Sequence, residues 1–443
     1  MLKDFVSSLS FLQNAKVPSF LKLQDPSKRN APLDDADKIY ELFCKVAREA
    51  RIDPEKCLVD IRKTMETLFK SFFKAEGISI IDEKSTQEKV LATLAYELKT
   101  RYQNKKENRL DFKRLKELRK KGNKGAHEAE SKVTVRDACE ATIELYQQLA
   151  RIFLGRWEDY SIEDLPIGSF DIVEKIKAQS YESVEGGYNY IAKQSGPGTD
   201  TYVYIRPFSA KDSKTVFDER DIEVQNFFKD MRSSNYIISG RPIQTIQPCD
   251  ISYFAYDIRK DTTTLNRIKD ISAYNTIDIV SQIAQGLLAL SSKKINIHHR
   301  GIRPTCIFVN SFDDGYEAKL GCFETAKINV KIPDVAGVKT VMPFMADSQQ
   351  NNVFVHPELN ARDDVSDKEW ELGDVYSLSA VLLYCIDHNA ILEGTMDISS
   401  LYDYYSSDFV DQINDILCSG SLDLVPSMKD FSLLLEQEKM SME

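Results

Sequence analysis

Asn296 to Val309 reads Asn-Ile-His-His-Arg-Gly-Ile-Arg-Pro-Thr-Cys-Ile-Phe-Val, and Gly321-Cys322-Phe323-Glu324 follows shortly after. Its chemistry-bearing side chains are imidazoles, guanidinium groups and thiols. Gly301 has no side chain with which to accept a proton. Cys306 and Cys322 offer soft thiol ligands, whereas magnesium prefers hard oxygen. Two uses of the thiols stand side by side: a redox or soft-metal pair, or two small buried residues that fill space. A second chemical stretch lies between Lys99 and Lys124. It holds twelve Lys or Arg against Glu107, Asp111 and Glu117, about +9 in a chain whose net charge is −11. Such a run is either a solvated helix face, paired with acidic surface elsewhere, or a nucleic-acid surface.

The elements around the first stretch can be read from periodicity. Val280, Ile283, Ala284, Leu287 and Leu290 form one face of a predicted helix before it. Ile307-Phe308-Val309 and Ala318-Lys319-Leu320 flank Asp313-Asp314-Gly315, which predicts a hairpin after it. Helix, polar loop and hairpin resemble the catalytic-loop region of protein kinases. His299-Arg300-Gly301 stands where that family has His-Arg-Asp, Ile302 to Cys306 where it has Leu-Lys-Pro-Glu-Asn, and Gly321-Cys322-Phe323 where Asp-Phe-Gly belongs. The resemblance covers about 168–438. Phe170 to Ile176 is similar to the first strand of the kinase N-lobe. Lys177, Gln179 and Glu182 replace the glycines of the phosphate loop. Arg206 stands at the phosphate-holding lysine, with Asp221 the match to its paired glutamate. Ser252 to Tyr256 resembles the strand into the hinge, Val355-His356-Pro357-Glu358 resembles Ala-Pro-Glu, and Asp374 falls where an Asp braces the loop backbone. In an active kinase, carboxylate and amide groups orient the hydroxyl and hold magnesium. Here those positions are Gly301, Cys306 and Cys322. The resemblance therefore implies a pseudokinase: no cofactor, no metal, and a protein partner for the kinase-like domain.

The N-terminal third predicts helices. Ile39, Leu42, Phe43, Val46 and Ala50 share a stripe from Ala36 onward. Asp53-Pro54 starts a second helix, with Leu58, Ile61, Met65, Leu68, Phe69 and Phe72 on one face. A third is expected over Thr86–Tyr102, a fourth over Leu110–Lys121, and a fifth from the capping pattern at Thr134 and Asp137 to about Trp157. The fourth ends in Leu118-Arg119-Lys120-Lys121-Gly122-Asn123-Lys124-Gly125-Ala126-His127. With its neighbours this resembles the HEPN superfamily, in the branch found in type I restriction endonuclease motor subunits, over about 35–156. The resemblance implies metal-independent RNA cleavage, with His127 as acid or base, Asn123 as the polar residue, and Arg119 displaced by one turn because Gly122 stands where the arginine is expected. It also implies a homodimer through the helical domain, RNA binding over 99–127 by Lys113, Arg114, Lys116, Arg119, Lys120, Lys121 and Lys124, and a role in bacterial defence. The alternative for Asn123 and His127 is a helix-terminating turn, since Gly and Asn accept left-handed backbone and His can bond free carbonyls.

The expected fold class is α+β: an arm at 1–34, an all-α bundle at 35–157, a linker at 158–167 with Pro166 and Gly168 as breakers, and a bilobal kinase-like domain at 168–438. No apolar run reaches the roughly 18 residues of a membrane span, and the first 20 residues lack an apolar signal core. Eight cysteines without paired spacing suit a reduced, cytoplasmic setting. The functional expectation is a regulatory or scaffolding pseudokinase, or a ribonuclease regulated by one.

Overall fold

The computed structural model describes residues 5–82, 85–103, 109–127, 133–156, 159–178, 187–194, 200–209, 235–245, 251–291, 295–323, 326–330, 353–359, 362, 364–392 and 396–443. The chain divides into two compact units, one from Met1–Asp200, Tyr204–Asp212 and Ile243–Tyr253, the other from Thr201–Val203, Ser213–Pro242 and Phe254–Glu443. Helix and sheet are mixed, as expected. The expected glycine-loop equivalent from Gln179, the helix near 219–229 with Asp221, and most of 325–354 lie outside the described residues.

The first unit is led by helices. A short α1 (Phe5–Ser8) precedes α2 (Ala36–Glu49), α3 (Pro54–Ala75), α4 (Leu91–Tyr102), α5 (Phe112–His127) and α6 (Val135–Phe153). Asp53 caps α3 by accepting from Lys56 N, and Pro54 occupies its first turn. Thr134 and Asp137 close a reciprocal capping box on α6. The apolar stripes read from the sequence are buried: Ile39, Phe43, Met65, Phe69 and Phe72 are each at most 1% exposed. The segment expected as an arm carries part of this core, with Phe5, Leu9, Leu12, Phe20 and Leu21 buried. Its burial comes from tertiary packing: Phe20 meets Phe72 and Tyr102 edge-on.

Three helix bounds differ from expectation; α6 ends at Phe153 rather than near Trp157. α4 begins at Leu91 rather than Thr86, because the described residues before it reverse: Ile81 bridges Glu88, Asp82 caps Ser85, and Thr86 takes a φ of +58°. α5 does not end at Lys121. It runs on through Gly122 and Asn123 to His127, so the helix does not turn at Asn123, and its last residue is His127. Gly122 is there for close approach: an added Cβ would sit 3.1 Å from both Arg62 Cβ and the Leu58 carbonyl of α3.

Residues 159–170 are packed as well. Tyr160 stacks edge-on to Phe5 and Tyr146, each at 4.9 Å. Arg51 Nη2 donates to the Ile162 carbonyl at 2.9 Å. Strands β1 (Asp171–Lys177) and β2 (Tyr188–Gln194) then pair antiparallel, with a register shift between Ile172 and Glu174. With β3 (Thr201–Ser209), β4 (Gly240–Ile243) and β5 (Ile251–Ile258) they form a five-stranded sheet in the order β1-β2-β3-β5-β4.

The second unit is built on α7 (Ala273–Leu290) and α8 (Asp367–Ile386), with α9 (His388–Leu392), α10 (Ser407–Cys418) and α11 (Met428–Met442) around them. Its strands are the short β6 (Thr263–Thr264), β7 (Ile295–His298), the hairpin β8 (Ile307–Phe312) and β9 (Gly315–Leu320), and β10 (Lys327–Val330). β6 joins β8–β9, and β10 pairs with β7. Gln282 of α7 fixes the hairpin by bonding both ways, to the Tyr316 carbonyl and from Ala318 N, each at 2.8 Å. Among the described residues no helix is long and apolar enough to cross a membrane, and the seven described cysteines are free thiols.

Candidate functional site

The loop after β7 is held from below by α8. Ser366 and Glu369 form a capping box that fixes the start of this helix. Two turns on, Asp374 is buried and its two carboxylate oxygens accept His299 N and Arg300 N, each at 2.8 Å. This clamp keeps Arg300 at a φ of +61°, a left-handed conformation that a non-glycine residue holds only when its surroundings enforce it. Burial pushes the Asp374 carboxyl up to about 7, and the two backbone donors pull the other way. Arg300 lays its guanidinium over the Trp370 ring at 4.7 Å, a cation–π contact. His299 donates through Nε2 to the Gly321 carbonyl at 2.8 Å, and its ring meets Phe323 at 4.9 Å. Burial lowers His298 to about 4, so that imidazole is neutral at pH 7.

The positions of greatest chemical interest are closed into the loop itself. The Gly301 carbonyl accepts Arg303 Nη1 at 3.1 Å and the Cys306 thiol at 3.7 Å. Arg303 also donates from Nε to Thr305 Oγ1 at 3.1 Å. Cys306 and Cys322 are 0% and 1% exposed. Cys322 has a φ of +62° and donates its N–H to the Tyr256 hydroxyl at 3.1 Å. Gly321 is a close-approach glycine: an added Cβ would lie 2.7 Å from Ile238 Cγ2 and 2.8 Å from Phe308 Cε2. The thiols therefore sit in a packed interior. Among the described residues no cluster of three or more His, Cys, Asp or Glu could hold a metal ion.

The basic stretch is placed on α5. Lys113, Arg114, Lys116 and Lys120 are exposed, and Arg119 and Lys121 are half-buried. Part of the charge is internally paired: Arg114 with Asp111 at 3.6 Å, Lys120 with Glu117 at 3.1 Å, and Lys121 with Glu144 at 3.9 Å. Lys113 and Lys116 make no ion pair among the described residues. Because α5 is continuous, positions 119, 123 and 127 recur every four residues and fall on one stripe. Asn123 is exposed. The side chains of Lys124 and His127 lie outside the described residues. Arg206 is buried in β3 at 4% exposure, and its expected partner Asp221 lies outside the described residues.

Three residues that shape the loop had no role of their own assigned from the sequence. Tyr256, Trp370 and Arg303 act through partners far away in sequence or through backbone carbonyls. Only an i, i+2 spacing links Arg303 to Gly301 and Thr305.

No protein-family model and no curated protein matches the chain. Among solved structures, the chain is similar to a crystal structure of the kinase domain of Mycobacterium tuberculosis PknI, a double mutant. Identity is 11%, the TM-score is 0.36, and the match covers 62% of this chain and 97% of that one.

Proposed function

We propose that residues 168–438 form a protein-kinase-like scaffold that works by binding a protein partner and transfers no phosphoryl group. One observation carries the reading. The proton-accepting position is Gly301, whose carbonyl is taken by Arg303 and Cys306, and the magnesium-holding positions are two buried thiols. Proton acceptance from a hydroxyl and magnesium binding both need exposed hard oxygen. What is kept is the support: Asp374 still holds the loop backbone, and Gln282 still holds the hairpin. The test is thermal denaturation of the full chain with ATP and magnesium. The reading expects no saturable stabilisation. A rise in melting temperature that saturates with ATP and needs magnesium would count against it, since a ligand bound to the native state raises its stability.

A second reading is favoured by the continuity of α5. Arg119, Asn123 and His127 recur on one helical stripe, beside exposed Lys113 and Lys116, which make no ion pair among the described residues. That arrangement supports a HEPN-like ribonuclease surface regulated by the kinase-like domain, in a homodimer formed through the helical domain. RNA cleavage in EDTA is measured for the wild type and for His127→Ala. The second reading expects cleavage by the first and none by the second; no cleavage by either removes it.

A further inference from the structure

Where the N-terminal segment passes the end of α6, the helical unit carries an open cavity of about 390 Å³. This lies near the lower end of the roughly 300–1,000 Å³ range of small-molecule sites. Among the described residues two cations, Lys16 and Arg109, border it, and no carboxylate does. In a chain of net charge −11, a cationic wall without acids marks this surface out. Lys16 is exposed and makes no ion pair among the described residues. Arg109 is held in place: Nη1 donates to the Ile152 carbonyl at 3.3 Å, and its guanidinium lies where a Cβ on Gly155 would meet it at 3.1 Å. That bond uses one of five N–H donors.

The other walls mix apolar side chains with the polar Asn14, Ser19 and Asn30. Phe11 and Phe153 line the cavity with ring centroids 6.4 Å apart and tilted by 45°. Both rings are partly exposed. The wall carrying Lys16 is a fixed frame: Lys16 bridges Pro32, Val17 N donates to the Ala31 carbonyl at 2.9 Å, and Leu33 N donates to the Ala15 carbonyl at 2.8 Å. One effect opposes an anion here, the partial negative charge of the α6 C-terminus. Arg109 donates to one of those carbonyls, that of Ile152, and its charge offsets it.

We infer that this cavity binds a small organic anion with a planar apolar body. The anionic group lies between Lys16 and Arg109, and the planar body rests against Phe11 and Phe153. The site is separate from the loop after β7 and from the 119, 123 and 127 stripe of α5, and it shares only Arg109 with the basic stretch at 99–127.

The test is thermal denaturation of the full chain titrated with AMP, salicylate, adenosine and inorganic phosphate. The expected result is a saturable rise in melting temperature with at least one of AMP and salicylate, and a smaller rise with adenosine and with phosphate. Lys16→Glu raises the half-saturating concentration by about tenfold or more, whereas Lys16→Arg keeps it. Lys38→Glu, on exposed α2 surface away from the cavity, leaves the titration unchanged. No rise with either organic anion at millimolar concentration overturns the assignment. So does a titration that Lys16→Glu leaves unchanged, or one that Lys38→Glu weakens equally.

Discussion

Asp374 and His298 show at the level of single residues how the loop is tuned. The folded protein holds the Asp374 proton more tightly than the unfolded chain, because burial raises its carboxyl to about 7 from 3.8. Such a group adds stability below about pH 4 and loses it as pH rises through 7. His298 has the opposite sign. Its folded value is lowered to about 4 from 6.5, so its contribution is present above 6.5 and is lost as pH falls through 4. The two slopes oppose each other over about pH 4 to 6.5. In Asp374→Asn an amide offers one oxygen to two backbone donors, and leaving a buried donor unmet costs about 1–3 kcal/mol. We expect the variant to melt below the wild type, with the deficit narrowing between about pH 4 and 7 as the wild type loses its Asp374 contribution. Urea denaturation across that range checks it; a deficit that widens with pH would show that the carboxyl is not raised.

Helix and strand contacts explain which expectations held. Gly122→Leu places a branched side chain where α5 meets the Leu58 carbonyl and Arg62 of α3. Overpacking of this kind costs about 1–3 kcal/mol, read as a lower urea midpoint with an unchanged slope. Lys116→Leu, on the exposed side of α5, is expected to leave the midpoint nearly unchanged. Gly321→Ala should destabilise by a similar 1–3 kcal/mol, since Ile238 and Phe308 already fill the space beside it. The same residues mark what the sequence could reveal. The stripes of α2 and α3 and the capping box of α6 were legible, because helical periodicity and caps are local. The hairpin β8–β9 was legible from its Asp-Asp-Gly turn. Gly122 misled, because its reason is a neighbouring helix and a sequence shows only the glycine. Phe5, Leu9 and Phe20 enter the core without a sustained helical repeat, so no local pattern marks them. In the candidate site, the Gly301, Cys306 and Cys322 positions could be found from a motif. The Tyr256 hydroxyl on Cys322 N and the Trp370 ring under Arg300 could not, because they are 66 residues and a separate helix away.

Across the chain, each unit is tied together by a few buried polar contacts set in apolar surroundings. In the first, Arg51 joins the end of α2 to the Ile162 carbonyl and to the Tyr190 hydroxyl of β2 at 3.3 Å, with its guanidinium 4.9 Å from the Tyr190 ring. Helices, the 159–170 stretch and the β1–β2 pair should therefore unfold together. Arg51→Ala is expected to loosen that coupling, and brief proteolysis under native conditions should then cut near 156–170 faster than in the wild type. An unchanged cleavage pattern would mean that the aromatic cluster at Tyr160 suffices alone. The Arg300–Trp370 stack has a further use. The chain holds two tryptophans, Trp157 and Trp370, so Trp157→Phe leaves one indole, buried beneath the loop's guanidinium. Its emission then becomes a built-in optical gauge: light shifted toward the blue while the second unit is folded, and toward the red once water reaches the ring.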